Sequence, residues 1–286
     1  MSPPSVSVII PAYNDERLAA CLAALERQDY AGPYEVIVVD NGSDVLPTVT
    51  GRARLLQEAK PGSYNARNRA LGEATGAVLA FTDSDCVPHP GWISAGVNAV
   101  THGADIGLAG GQVQITPMSG AKPSLAELYE VAIAFPQEAY VREGKYAATA
   151  NMFTTRTVME KVGPFNNKLR SGGDADWGQR TAAAGYRLVY AAGAVVDHPA
   201  RTHGEIMRKL RRTTGGERDR RPGWLQCVKF CARHLPPPRS RIRRVLALEG
   251  VDPARRAALV GYCVFIYWSH AAERLRLQIT GAHSSR

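Results

Sequence analysis

The chain lacks the features of a stapled or zinc-ribbon protein. Its five cysteines, at positions 21, 86, 227, 231 and 263, are odd in number and form no CxxC pair. A zinc site or a disulfide framework is therefore not expected. Reduced thiols in a cytoplasm fit this usage. No GxGxxG follows the first apolar run, and no Walker A loop occurs, so a dinucleotide-binding dehydrogenase and a P-loop NTPase lose ground. Solenoid-type repeats are absent. Long hydrophobic runs are missing as well. Residues 6–11 are too short for a signal-peptide core and lack a basic flank. The best candidate span, 257–268, would cover only about 18 Å as a helix, against a hydrocarbon core of about 30 Å. It can lie on a membrane or pack in a core, but it is not expected to cross.

What is present suits a folded α/β chain. The 286 residues are 45% hydrophobic and 21% charged, enough to bury a substantial core. The net charge of +9 is unevenly placed: residues 201–244 hold fourteen Lys and Arg against three acids. Such a stretch suits an anionic partner, namely a membrane surface, a diphosphate lipid or nucleic acid, or else it is a solvated helix face.

The segment Val6-Ser7-Val8-Ile9-Ile10-Pro11 reads as a buried strand, followed by a helix over 17–28 with Leu18, Cys21, Leu22 and Leu25 on one face. Residues 34–39 read as a second strand, 63–71 as a helix and 78–82 as a third strand. These repeated βαβ units imply parallel pairing. Ligands of open parallel sheets sit outside the carboxyl ends of the strands, which places Tyr13, Asp40 and Asp83 at one crevice. Further on, 91–114 reads as a helix and a strand, 124–142 as a helical acceptor-side segment and 150–154 as a strand. A helix over 156–162 is followed by one over 174–184, closed by Gly185. Two short strands, 187–190 and 194–196, end at Asp197-His198-Pro199. The expected division is a catalytic domain over 1–215 and a basic helical appendage over 216–286, with two or three helices over 224–286.

Asp83 and Asp85, one residue apart at a strand end, can aim both carboxylates at one ligand. Hard divalent cations take such oxygens and share them with a diphosphate. An isolated pair is a weak signal, because acidic turns are common.

Around this pair stand further blocks: Val6 to Asn14, Val36 to Ser43, Ala66-Arg67-Asn68, Phe81 to Asp85, Ala150 to Phe153, Val162 to Phe165, and Gly173-Asp174-Ala175-Asp176. In order and spacing they resemble the family 2 glycosyltransferases of the GT-A fold, over roughly 5–212. That resemblance implies a Rossmann-like, mostly parallel sheet flanked by helices, with a C-terminal helical appendage. It implies an inverting, metal-dependent transfer of a sugar from a nucleotide-sugar donor, preferably a UDP-sugar. Pro11, Ala12 and Tyr13 would line the base pocket, with Asp40 hydrogen-bonding the base. Arg67, Asp83 and Ser84 would meet the nucleotide. Asp85 would hold Mn²⁺ or Mg²⁺, with His198 as a further ligand. Asp174 is the preferred general base and Asp176 the alternative, since Gly173 stands where the family usually has Glu. Trp177 is either an acceptor platform or core. The segment 201–216 resembles a flexible loop that closes over the donor.

The acceptor is expected to be a hydroxyl on a glycan, a lipid-linked sugar or a small molecule. The cytoplasm is the expected location, with contact at the inner face of the membrane and homodimerisation both open. A nucleotidyltransferase and a non-catalytic nucleotide-sugar binder are the alternatives. A nucleic-acid partner is disfavoured, because the basic segment lacks interleaved aromatics.

Overall fold

β-branched and apolar runs bounded by polar turns build the sheet. The computed structural model describes residues 2–120 and 122–281. The chain runs β1 (Val6–Ala12), α1 (Leu18–Leu25), β2 (Tyr34–Asp40), β3 (Ala53–Gln57), α2 (Ser63–Leu71), β4 (Val78–Thr82), β5 (Val87–Pro88), α3 (Trp92–Thr101) and β6 (Ile106–Thr116). It continues through α4 (Leu125–Ile133), α5 (Gln137–Arg142), β7 (Asn151–Thr155), α6 (Arg156–Val162), α7 (Gly173–Ala183) and β8 (Arg187–Pro199). It closes with α8 (His203–Arg220), α9 (Trp224–His234), α10 (Arg239–Leu246) and α11 (Pro253–Thr280).

One sheet of eight strands has the order β3-β2-β1-β4-β7-β6-β8-β5. Its first half is parallel: β1 lies between β2 and β4, and β2 also pairs with β3. Beyond β4 the direction changes: β7 runs antiparallel to both β4 and β6, and β5 antiparallel to β8. The buried side chains of β1, β2 and β4 are mostly apolar because both faces are covered, with Ser7 buried in β1 and Asp40 and Thr82 at the ends of β2 and β4.

The chain divides into two compact units. Among the described residues the first comprises 2–114, 135–169 and 173–198; the second comprises 115–120, 122–134, 170–172 and 199–281. Position 215, where the sequence reading divides the chain, lies inside α8. The first unit is centred on Ile9, Ile37, Leu79, Phe81, Phe165 and Trp177. Trp177 is fully buried and its Nε1 donates to the Gly163 carbonyl at 2.9 Å, so it is a core residue and not an acceptor platform. The second unit packs α4, α8, α10 and α11 through Tyr129, Leu210, Val245, Leu259 and Ile266.

Several boundaries differ from the sequence reading. β3 was not foreseen. β8 is one strand of 13 residues where two short ones were expected. The segment 201–216 is not a loop but the greater part of α8. Thr202 caps α8 by accepting from the Glu205 N–H, while Glu205 reaches back to the Thr202 N–H. This reciprocal capping nucleates a helix strongly enough to carry it through Gly215-Gly216. Gly185, at φ +90°, does close α7, a conformation that only glycine adopts without strain.

Candidate active site

The carboxyl ends of β2, β1 and β4 lie side by side, with Ala12 opposite Asp40 in the register. Tyr13, Asp40 and Asp83 therefore emerge at one edge, as the strand pattern implies. Two polar staples fix the loops there. Asn14 adopts a left-handed conformation (φ 46°) and exchanges hydrogen bonds with Asp44, while its N–H donates to Ser43 Oγ at 2.8 Å. Asn41 donates to the carbonyls of Glu58 and Lys60 and accepts from the Gly62 N–H at 2.6 Å, tying this edge to the start of α2.

Asp40 is only 3% exposed. Its carboxylate accepts from the backbone of Gly42 and Ser43, each at 3.2 Å, and Gly42 takes the positive φ this turn needs. Pro11 and Ala12 are the last residues of β1, and Tyr13 just beyond is about half exposed.

The acidic triplet is held from several sides. Arg67 on α2 is buried, not the surface charge a helix position allows. Its Nη2 lies 2.5 Å from Asp83 Oδ1. Ser84 Oγ donates to Asp15 Oδ2 at 2.7 Å, and Asp15 in turn accepts from Arg17 Nε at 2.7 Å. Arg17 Nη2 reaches to 3.6 Å from Asp85 Oδ2. Burial pushes the Asp15 carboxyl up, but hydrogen bonds from Arg17 and Ser84 outweigh it and hold the group below its ordinary value. Cys21 and Cys86 are buried against these acids, and burial together with the nearby carboxylates pushes both thiols up. They stay protonated and inert.

His198, 1% exposed, lies within β8 and not in a loop after it. Its Nε2 is 3.4 Å from Asp85 Oδ2. The Phe135 ring lies against the imidazole, with centroids 4.9 Å apart. The preceding residue, Asp197, points the other way and sets its Oδ2 3.0 Å from His89 Nε2. Among the described residues, no group of three or more His, Cys, Asp and Glu side chains is gathered to hold a metal alone. A carboxylate oxygen with an imidazole nitrogen nonetheless suits a cation that takes its remaining ligands from a diphosphate and water.

Asp174 opens α7. Tyr64 Oη, on α2, lies 3.4 Å from Asp174 Oδ1 and accepts from the Gly173 N–H at 2.8 Å. Burial raises the Asp174 carboxyl above its ordinary value, with Asp83 adding to the effect and Arg67 opposing it. Tyr64 is pushed up to about 12 by burial and by the Asp174 charge. These mutual influences couple Asp174 electrostatically to the Arg67–Asp83 pair. Asp176 instead pairs with Arg180 at 3.0 Å, one helical turn along. A hollow of about 330 Å³ between α2 and α6 contains none of these residues.

The sequence reading missed Asp15, Arg17 and Tyr64. Asp15 carried a local signal, a capping-type acid just before a helix. Tyr64 carried none, because its partner lies 110 residues away.

The half-parallel sheet flanked by helices is a GT-A α/β fold, as the solved structures named below share it. The chain belongs to glycosyl transferase family 2, whose model matches residues 7–160, and it is a glycosyltransferase enzyme. It is 39% identical over 225 residues to glycosyltransferase AglE of Haloferax volcanii, an alignment that covers 75% of this chain and 73% of AglE. Two solved structures share the fold. The mannosyltransferase PcManGT of Pyrobaculum calidifontis, in complex with GDP-Man and Mn²⁺, has a TM-score of 0.55 at 19% identity, covering 98% of this chain and 77% of that one. TarS 1-349 of S. aureus, in complex with UDP-GlcNAc, has a TM-score of 0.52 at 17% identity, covering 93% and 73%.

Proposed function

We propose that the chain transfers a sugar from a nucleotide-sugar donor to an acceptor hydroxyl with inversion at the anomeric carbon. The observation that carries this reading is the meeting of Asp85 with His198 beside the Arg67–Asp83 pair, with Asp174 coupled to that pair. Tyr13, with Pro11 and Ala12 behind it, receives the base, and Asp40 keeps acceptor capacity for a base N–H beyond its own turn. Arg67 holds Asp83 and, with Ser84, positions the nucleotide. Asp85 and His198 would hold Mn²⁺ or Mg²⁺. When bound, the cation stabilises negative charge on the departing diphosphate.

Asp174 takes the proton from the acceptor hydroxyl. The oxygen then attacks the anomeric carbon from the face opposite the diphosphate, and the carbon–oxygen bond to the diphosphate breaks. Such a base contributes about 10² to 10⁴-fold in rate. Its raised carboxyl is a stronger base than an exposed one. Asp176, held in an ion pair with Arg180, is the weaker candidate. The structures bound to GDP-Man and to UDP-GlcNAc support a nucleotide-sugar donor, and UDP remains the proposed nucleotide. The acceptor is a hydroxyl of a glycan, a lipid-linked sugar or a small molecule.

Incubation with UDP- and GDP-sugars in Mn²⁺, Mg²⁺ or EDTA, scoring released nucleoside diphosphate, tests the reading. Cation-dependent release with a UDP-sugar is expected. Release of pyrophosphate instead would identify a nucleotidyltransferase and overturn it.

A further inference from the structure

The apolar faces of α9 and α11 are unusual. Trp224, Leu225 and Val228 on α9, with Leu235 just past its end, are each more than half exposed. The same helix buries Cys227 and Phe230 on another side. At 100° per residue the three α9 side chains span one narrow sector, and the buried pair lies outside it. Lys229 and Arg233, both exposed, occupy a third sector bordering the apolar one. The helix thus has a core face, an apolar solvent face and a basic flank.

α11 repeats the pattern. Its inner side supplies Leu259, Cys263 and Ile266 to the core of the second unit. On the outside, Phe265, Trp268, Ala272, Leu275 and Ile279 are exposed at spacings of three, four, three and four. No charged residue interrupts that stripe. Leu275 joins it to α9, lining a hollow of about 270 Å³ with Trp224, Val228, Cys231 and Leu235. The result is a two-helix apolar platform of the kind that marks an interaction site.

We propose that this platform docks on an anionic lipid bilayer, lying in the interface without crossing it. The charge of Lys229 and Arg233 beside it, and of the segment they belong to, selects that occupant. The elements preceding α11 hold fourteen Lys and Arg against three acids over 201–244. A second copy of the chain would bring the same sign of charge to the contact, whereas anionic headgroups bring the opposite sign. Tryptophans at the apolar–polar border suit headgroup depth. Among the described residues, no helix is long and apolar enough to cross a membrane. α11 interrupts its buried side with Glu273 and Arg274. The inference does not rest on the identity of the sugar donor.

Co-sedimentation of the full chain with vesicles tests it, comparing phosphatidylcholine alone with phosphatidylcholine plus phosphatidylglycerol. Tryptophan emission is read in parallel. Trp92 and Trp177 are fully buried and supply a constant background, so a change reports Trp224 and Trp268. Binding to the anionic vesicles only, with a blue shift and loss at high salt, is expected. Trp224→Ser with Val228→Ser, both at exposed positions, is expected to weaken binding about tenfold or more while leaving the far-UV spectrum unchanged. Lys229→Glu with Arg233→Glu is expected to weaken it comparably. Absence of vesicle binding, or equal binding by the serine variant, overturns the proposal. So does a lipid-free dimer in analytical ultracentrifugation that shifts the same tryptophans, since the face would then belong to a second copy.

Discussion

The imidazole Nε2 of His198 stands 3.4 Å from Asp85 Oδ2, although 113 positions separate them in the chain. Asp85→Asn is expected to lower kcat by about 10²-fold or more, because charge on the leaving diphosphate loses its counterweight. His198→Ala is expected to raise the Mn²⁺ concentration for half-maximal activity by about 10- to 100-fold, a scale set by changes close to metal ligands. Titrating Mn²⁺ against nucleoside diphosphate release separates the two effects. Turnover indifferent to both substitutions would remove Asp85 and His198 from the site.

Asp174 and Asp176 are expected to part company. Asp174→Asn should cost about 10² to 10⁴-fold in kcat. Asp176→Asn breaks a half-buried i,i+4 pair with Arg180, worth about 0 to 1 kcal/mol of stability, and should leave most of the activity. Full activity in Asp174→Asn with loss in Asp176→Asn would reverse the assignment.

The pH dependence follows from burial of Asp174. A base must be ionised, so the acid limb of kcat/KM is expected above the ordinary carboxylate value of 3.8. Stability runs the other way. A carboxyl raised in the folded state contributes stability below its unfolded pKa, and that contribution is lost as pH rises through the folded one. Asp174→Asn is therefore expected to keep or raise Tm at neutral pH while abolishing turnover, as calorimetry alongside the rate assay would show.

Glu127 has the opposite sign. Burial raises it, but hydrogen bonds from Ser119, Ser124 and Met118 prevail and bring it to about 2. Its stabilisation is present above the unfolded value of 4.5 and is lost as pH falls from there toward 2. Glu127→Gln is expected to cost about 2 kcal/mol at neutral pH and nearly nothing below the folded value. Denaturant melts at several pH values check this. A constant difference across that window would contradict it.

Asn151 is an architectural residue within a block shared with the family. Its Oδ1 accepts from Trp92 Nε1 at 2.9 Å, and its Nδ2 donates to the carbonyls of Gln112 and Ala194, each at 2.8 Å. Asn151→Ala would leave the buried Trp92 N–H without its acceptor and remove two hydrogen bonds to strand carbonyls, and is expected to cost about 3 kcal/mol or more. Urea denaturation measures the loss; a cost under about 1 kcal/mol would contradict the expectation.

Local patterns made the first half of the fold legible. The α2 and β4 bounds expected from apolar spacing match those observed, and three strand ends led directly to Tyr13, Asp40 and Asp83. Contacts distant in sequence were harder. The buried Arg67–Asp83 pair looks from α2 alone like an ordinary surface arginine. For Trp177 the pattern left a sugar platform and a core role both open, and its indole fills the core. The expected division after 215 falls on Gly215-Gly216, but the Thr202–Glu205 cap and the apolar contacts of Ile206 and Leu210 outweigh two glycines. β3 is a five-residue edge strand, half-buried and too short for its alternation to stand out.

The alternation along β8 puts Asp197 against His89 and His198 against Asp85, on opposite faces of one strand. A single residue inserted or deleted within β8 upstream of position 197 would exchange these faces, aiming a carboxylate where the imidazole belongs. Length change in that stretch is thus more damaging than most point substitutions, and sequence drift there should proceed by replacement, with the residue count preserved.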